Sequence, residues 1–238
     1  VGGADFNANV WQPLRVPTGS LLDSAGNPMV DDNVASSYQD QVYLTPHWGA
    51  VKPFAMTSGA QFRPIAPPKA GDNSAYTDAT GLVTTNDAAY NQQLNQVLAI
   101  SSGLTNRHKV IAEYWADGPR SETPPGHWNE IAHSISYRDK HNIDDDIKMY
   151  FALDGAILDS SIAAWEAKRF YQFIRPISAI RQAYYDKNIS AWAGPNKGTQ
   201  TMLGQNWQPY QSATFVTPPF PEYVSGHSTF SASAAEVL

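Results

Sequence analysis

The sequence has no cysteine among its 238 residues, and this excludes several kinds of chemistry. Disulfide bonds, thiolate metal sites and cysteine nucleophiles all need a sulfur that the chain does not have. Long apolar runs are also missing, because no stretch approaches the roughly 18 residues needed to cross a bilayer. We therefore expect a soluble protein without a membrane span. Its compartment stays open: secretion or a periplasmic location is compatible with a sequence that starts at Val1 and shows no signal-peptide pattern.

Charge is scarce, with 16% charged residues and a formal net charge of −6. Binding to nucleic acid needs a basic face, so we expect no nucleic-acid partner. One small basic pocket remains compatible with these numbers, because local charge and net charge are separate facts. Hydrophobic residues make up 42% of the chain, which is typical of a globular protein able to bury a sizeable core.

Proline and glycine divide the chain into two parts. Residues 1–84 are rich in Pro, Gly, Asn, Asp and Ser and show no long helical period. This composition predicts an irregular N-terminal segment that wraps on the core, with a turn at residues 23–28 and short strands at Val10–Val16 and Gln41–Leu44. The segment is expected to contain little helix.

The pattern becomes helical from Thr85 onward. Apolar periodicity and capping residues predict a mainly α domain over residues 85–238, packed as helical bundles. The fourth predicted helix is the longest and is interrupted only by Gly155, and residues 186–224 are expected to be loop. The predicted helices span approximately 86–101, 106–118, 126–140, 142–175, 177–185 and from 225–227 to Leu238.

Two cations, Lys168 and Arg175, carry the first chemical signal. On a continuous helix, positions seven apart lie about 20° from one another, so both side chains would leave one face two turns apart. Such a pair suits an anion, because Arg offers a planar fork for two oxygens and Lys a mobile point charge. The alternative is a solvated basic face near a helix C-terminus, where the helix dipole favours cations.

The segment Ser225-Gly226-His227 carries the second signal, after a Pro-rich approach. It is typical of a loop that leads into a helix N-terminus, where free N–H groups and the helix dipole attract anions. Gly226 lets the backbone approach a ligand closely, and His227 can exchange a proton near neutral pH. The alternative is a serine N-cap followed by an incidental histidine.

Together, Lys168-x6-Arg175-Pro176 and Ser225-Gly226-His227 resemble two of the three signature motifs of the vanadium-dependent haloperoxidase and type 2 phosphatidic acid phosphatase superfamily. Val224 stands where the family pattern usually has Pro. The resemblance covers roughly residues 85–238. It implies a helical bundle of the vanadium haloperoxidase type.

The resemblance also implies roles for individual residues. Lys168 and Arg175 would bind equatorial oxygens of vanadate, and Ser225 and the Gly226 N–H would bind further oxygens. His227 would be the catalytic acid–base group. Phosphate or sulfate could occupy the same site, and no haem is expected.

Further residues extend the resemblance. Trp165 and Phe220 resemble the arrangement in fungal vanadium chloroperoxidases, where they would shape the halide side of the pocket. The segments 116–119 and 121–128 resemble uncharacterised bacterial relatives. The third family motif, which supplies a second Arg and the His that coordinates vanadium, is not found in the sequence. We therefore expect that motif to lie beyond Leu238 and the helical domain to be incomplete at its C-terminus.

Three functions fit these motifs. The first is a vanadate-dependent haloperoxidase that oxidises halide with hydrogen peroxide to hypohalous acid, with an organic acceptor as a further substrate. The second is an acid phosphatase that hydrolyses a phosphate ester at the same oxyanion site, since vanadate resembles the five-coordinate state of phosphoryl transfer. The third, favoured if the natural chain ends near Leu238, is a non-catalytic oxyanion-binding protein. The oligomeric state is left open.

Other polar residues have simpler interpretations. His127 and His133 are six apart, which is poor spacing for one helix face, so we expect His127 to cap or to pack. The acidic residues 144–146 suit a helix start without a bound cation. Asp159 would either orient a cationic site residue that is missing from this chain or lie on the helix surface.

Overall fold

Helices dominate the part of the chain that the structure, a computed structural model, describes, which is residues 6–238. The mainly α prediction is confirmed. The helices within these residues are α1 (Asn86–Ser102), α2 (Asn106–Tyr114), α3 (Thr123–Asp139), α4 (Ile143–Tyr171), α5 (Pro176–Ala183) and α6 (Gly226–Val237). None of the helices in this range is both long enough and apolar enough to span a membrane.

The strands are short and form three antiparallel pairs within residues 6–238. They are β1 (Arg15–Pro17) with β2 (Tyr38–Asp40), β3 (Ala75–Thr77) with β4 (Val83–Thr85), and β5 (Asn188–Trp192) with β6 (Thr199–Leu203). The last pair corrects the prediction of loop over residues 186–224. Its strand β5 buries Ile189, Ala191 and Trp192, a packing that a local turn-rich composition does not reveal.

The strands predicted at Val10–Val16 and Gln41–Leu44 are wrong in position. Val10 makes only an isolated bridge to Phe173, and β1 begins at Arg15. The reason is proline, since Pro13 has no N–H to give to a ladder. Residues 1–5 of the predicted N-terminal segment lie outside the described part of the chain.

The largest correction concerns the stretch between Lys168 and Arg175. Helix α4 runs through Gly155 without a break and ends at Tyr171. Gln172 then adopts a left-handed backbone with φ of 47°, and Arg175 is extended (φ −84°, ψ 149°) before Pro176 opens α5. A residue that precedes proline is driven out of the helical region by steric contact with the ring. The two cations therefore do not share one helix face.

Contacts divide the chain into two compact units. The first comprises the described part of residues 1–44 together with Ile65–Lys109 and Tyr171–Tyr223, and the second comprises Thr45–Pro64, Val110–Phe170 and Val224–Leu238. Each unit is therefore assembled from three separate stretches of sequence. The linear division of the domain organisation at residues 84 and 85 stays a prediction.

The core of the first unit forms around α1, α5 and β5. Trp207 is 1% exposed, and its indole Nε1 donates to the Ser101 hydroxyl at 3.3 Å. The Trp207 carbonyl accepts a hydrogen bond from Nε of Arg181 at 2.8 Å. Burial lowers the pKa of Arg181 to about 10, so this guanidinium stays charged at neutral pH.

The core of the second unit lies where α3 packs on α6. Ala132 of α3 and Ala234 of α6 are both fully buried, and small side chains let two helices approach closely. Leu153, Ile157 and Phe230 complete this cluster. The packing holds the first turn of α6 in a defined position relative to α3.

Asp159, a buried residue of α4, anchors residues 54–56 of the second unit. Its carboxylate accepts three backbone N–H groups, from Phe54 at 2.6 Å, Ala55 at 2.8 Å and Met56 at 2.9 Å. Burial alone would raise the pKa of Asp159, but the three donors outweigh it and hold the pKa below its usual value. Asp159 is thus a structural residue, and its predicted exposure on the helix surface is wrong. Its other predicted role, to orient a cationic residue outside this chain, stays a prediction.

Replacing Asp159 with Ala should destabilise the second unit by about 3 kcal/mol, because three N–H groups would lose a charged acceptor. Since the pKa of the folded carboxyl is lowered, its contribution is present at neutral pH and is lost as the pH falls through that pKa. Urea unfolding at neutral and acid pH measures both effects. Asp154→Ala, which removes a carboxylate with one side-chain donor, Asn129, is the matched control. Equal destabilisation by the two substitutions would contradict this account.

Candidate active site

In the second unit, the end of α4 lies against the start of α6. Lys168 is only 1% exposed, and its ammonium donates to the Val224 carbonyl at 2.5 Å. Trp165 is the neighbour of Gly226: a Cβ placed on this glycine would lie 3.7 Å from Cζ3 of the indole. The structure therefore brings Lys168 and Trp165 together with the Ser-Gly-His segment.

The N-terminus of α6 has unused hydrogen-bond donors. Ser225 is the N-cap, and its Oγ accepts from the Ser228 N–H at 3.2 Å, so the capping interpretation holds. The hydroxyl proton of Ser225 remains available as a donor. The N–H groups of Gly226 and His227 make no hydrogen bond to the residues that the structure describes. Capping and anion binding are therefore compatible at this helix start.

A carboxylate that sequence reasoning missed lies beside His227. Oδ2 of Asp117 is 4.0 Å from Nε2 of His227, and its Oδ1 is hydrogen-bonded to Nδ1 of His127 at 2.9 Å. The Asp117 side chain is 3% exposed, whereas His227 is 49% exposed. In the sequence, the segment 116–119 carries only a resemblance to uncharacterised bacterial relatives. The one local signal for Asp117, its place before a Gly-Pro pair, indicates a turn and says nothing about His227.

His127 packs in an aromatic environment, which was one of the two roles predicted for it. Its ring stacks on Trp115 with centroids 4.7 Å apart and meets the edge of Tyr114 at the same distance. Glu122 brings a further oxygen, so that Asp117, Glu122 and His127 have potential ligand atoms within 4.8 Å of one another. The hydrogen bond to His127 already engages Asp117.

In the first unit, Arg175 is 8% exposed and makes three contacts. Its Nε donates to the Phe220 carbonyl at 2.6 Å, its Nη1 donates to Oε2 of Glu222 at 2.7 Å, and its Cζ lies 4.7 Å from the centre of the Phe220 ring. Burial lowers the pKa of Arg175, and the nearby Glu222 carboxylate opposes this effect. Glu222 is a second functional candidate that sequence reasoning missed.

Arg175 and Glu222 border an open cleft of about 290 Å³ in the first unit. Its other walls are mostly apolar and include Val97, Ile177 and Tyr210. Phe220 belongs to this unit and Trp165 to the other. The halide pocket assigned to these two aromatic residues stays a prediction.

The group at the start of α6 suits a tetrahedral oxyanion. A buried ammonium, two backbone N–H groups and a hydroxyl supply donors at fixed positions, and an imidazole beside a carboxylate can exchange a proton. These donors bind oxygens and offer no direct metal ligand of the thiolate or carboxylate type. They fit an anion such as vanadate or phosphate held mainly by hydrogen bonds.

Comparison with known proteins gives a consistent result. Residues 148–238 match the family described as the VCPO second helical-bundle domain. A stretch of 140 residues is 29% identical to vanadium chloroperoxidase from Curvularia inaequalis and corresponds to 52% of this chain and 21% of that protein. The resemblance stated from the motifs is confirmed.

Solved structures show the same fold. A holo-type bacterial vanadium-dependent chloroperoxidase has a TM-score of 0.70 and 24% identity, over 97% of this chain and 45% of that chain. A bacterial vanadium-dependent iodoperoxidase has a TM-score of 0.60 and 25% identity, over 88% and 45%. The chain thus spans less than half the length of these relatives. The predicted helical bundle of the vanadium haloperoxidase type is confirmed.

Gly226→Ala separates a packing role of this glycine from a ligand role. A Cβ would meet Trp165 and Phe230 at 3.7 and 3.8 Å, which are ordinary contacts, so the fold should gain about 0.5 kcal/mol from the stiffer residue. Affinity for inorganic phosphate should fall roughly tenfold, because the methyl group hinders approach to the N–H groups. Thermal unfolding and calorimetry measure the two effects. Loss of stability with unchanged affinity would show that Gly226 serves packing alone.

Proposed function

We propose that this chain, whose residues 148–238 match the VCPO second helical-bundle domain, binds vanadate and oxidises halide with hydrogen peroxide to hypohalous acid. The observation that carries the proposal is the buried Lys168 ammonium at the start of α6. A buried ammonium beside a helix N-terminus with available N–H groups forms a positively charged setting that suits an anion.

The oxyanion-binding residues divide into those at α6 and Arg175. Lys168, the Ser225 hydroxyl and the Gly226 N–H would bind oxygens of vanadate. Arg175 is added to this group because the family motif contains it. Its Nε and Nη1 donate to Phe220 and Glu222, and its Nη2 makes no hydrogen bond within residues 6–238. That nitrogen is the donor that Arg175 would offer to the ligand.

Proton transfer is the part of the reaction that His227 would perform. Its half-exposed ring can pick up a proton from hydrogen peroxide and return it to the leaving oxygen. Asp117 would orient the ring and stabilise its charged form, since the carboxylate is itself held by His127. When bound, vanadate would supply a metal centre that activates peroxide towards halide without a change of oxidation state. Trp165 and Phe220 would provide apolar surface for the halide.

Orthovanadate binding tests the oxyanion site directly. Lys168→Met should lower vanadate affinity roughly 100-fold, because a charge-assisted hydrogen bond is lost. The free energy of unfolding should not fall, because an apolar side chain of similar length replaces a buried charge. Titration calorimetry and urea unfolding measure these quantities. Lys148→Met changes an exposed lysine of the same helix and should affect neither, and a similar loss of affinity in both variants would argue against a specific site.

Turnover tests the reaction in the natural protein that carries this chain. Halogenation of monochlorodimedone with peroxide and vanadate should be detectable, and His227→Ala should lower its rate at least about 100-fold, the usual contribution of a general acid–base group. Vanadate affinity should change far less, since His227 is not a main oxygen donor. Hydrolysis of nitrophenyl phosphate without halogenation would favour the acid phosphatase. Oxyanion binding without either reaction would favour a non-catalytic role.

A further inference from the structure

We propose that Glu222 is a specificity-determining residue, whose carboxylate competes with the bound oxyanion for Arg175 and disfavours phosphate relative to vanadate. The proposal rests on the function proposed above, because it requires Arg175 to contact the oxyanion. It adds a discrimination between two anions of the same shape. No motif or relative described above assigns a role to Glu222.

The proposed competition rests on the hydrogen bonds of Arg175. Of the three nitrogens of the guanidinium, Nε donates to the Phe220 carbonyl and Nη1 donates to Glu222 Oε2. Nη2 has no partner among residues 6–238. An oxyanion on Nη2 would therefore lie next to the Glu222 carboxylate, because the two Nη atoms of one guanidinium are neighbours. The ligand and the carboxylate share one cation.

Glu222 is held at this place by its backbone. Its N–H donates to the Phe173 carbonyl at 3.0 Å, two residues before Arg175, and Pro221 beside it is fully buried. The side chain of Glu222 is 35% exposed, so it can turn towards solvent but cannot move far away. Its negative charge therefore stays within a few ångströms of whatever Arg175 binds.

The consequence depends on the charge of the ligand. Arg175 and Glu222 together carry no net charge, so the pair offers a hydrogen-bond donor with little positive field. The repulsion between Glu222 and an anion grows in proportion to the anion's charge. Near neutral pH, inorganic phosphate is more fully ionised than orthovanadate, which loses its second proton at higher pH. Glu222 should therefore weaken phosphate binding more than vanadate binding.

A purely structural role for Glu222 makes the opposite prediction. If the carboxylate served only to hold Arg175 in position, its removal would weaken the binding of every oxyanion. Glu222→Gln distinguishes the two roles, because the amide keeps an oxygen that can accept from Nη1 while the negative charge is removed. The sign of the change in affinity is therefore the decisive readout.

The test is titration of the whole chain with orthovanadate and, separately, with inorganic phosphate, at one near-neutral pH and one ionic strength. Glu222→Gln should bind phosphate roughly tenfold more tightly and vanadate only about threefold more tightly. Glu166→Gln is the matched control, because Glu166 pairs with Arg63 (Nε to Oε2, 2.9 Å) in the same type of contact. It makes the same change in net charge and should alter neither affinity.

The outcomes separate this proposal from the function on which it rests. If the unsubstituted chain binds vanadate and Glu222→Gln binds phosphate no more tightly, the role of Glu222 is overturned and the oxyanion site stands. If neither protein binds vanadate, both proposals are overturned. Should Glu222→Gln fail to fold, Glu222→Ala serves instead, and the ratio of phosphate to vanadate affinity must rise in that variant. An unchanged ratio overturns the proposal.

Discussion

The arrangement of this molecule depends on one buried charge. Lys168 keeps its ammonium away from water at the end of α4, with the Val224 carbonyl among its partners. Desolvation of such a group costs several kcal/mol, and an apolar residue of the same length would pack without that cost. The surrounding contacts fix the position of this charge. Asp159 ties residues 54–56 to α4, and Ala132 and Ala234 let α3 and α6 approach closely. The proposed anionic ligand would give this buried charge a functional reason.

Sequence reasoning recovered the local parts of the site and missed those that depend on tertiary contacts. The Ser225 cap and the helix that follows it are encoded within a few residues, so they could be predicted. Asp117 could not, because its proximity to His227 joins positions 110 residues apart, and Glu222 meets Arg175 across 47 positions for the same reason. The continuous helix expected from Lys168 to Arg175 failed at Gln172, where a single left-handed residue and the proline rule outweighed the apolar periodicity.

The buried cations also differ in how their charge is balanced, although the chain as a whole carries −6. Arg181 relies on the Trp207 carbonyl, a neutral acceptor, and burial lowers its pKa to about 10. Arg175 instead has a carboxylate, Glu222, and an aromatic face, Phe220. Arg181 thus has no carboxylate beside it to balance its charge among the contacts of residues 6–238. The arrangement around Arg175 leaves Nη2 for a ligand and places the competing charge of Glu222 beside it. Neither the net charge nor a count of nearby charges describes such a site well.

The left-handed residue at position 172 also explains why six residues separate Lys168 and Arg175. The interval combines the last turn of a helix, one reversal of backbone hand and an extended stretch before Pro176. Removing one residue from the helical part would rotate Lys168 by about 100° around the axis, and removing one from the extended part would turn Arg175 to the opposite side of the chain. The length of this interval therefore sets the direction of both side chains, by rotation in its helical part and by alternation in its extended part. Single insertions or deletions in it are expected to be tolerated far less than substitutions of the residues it contains.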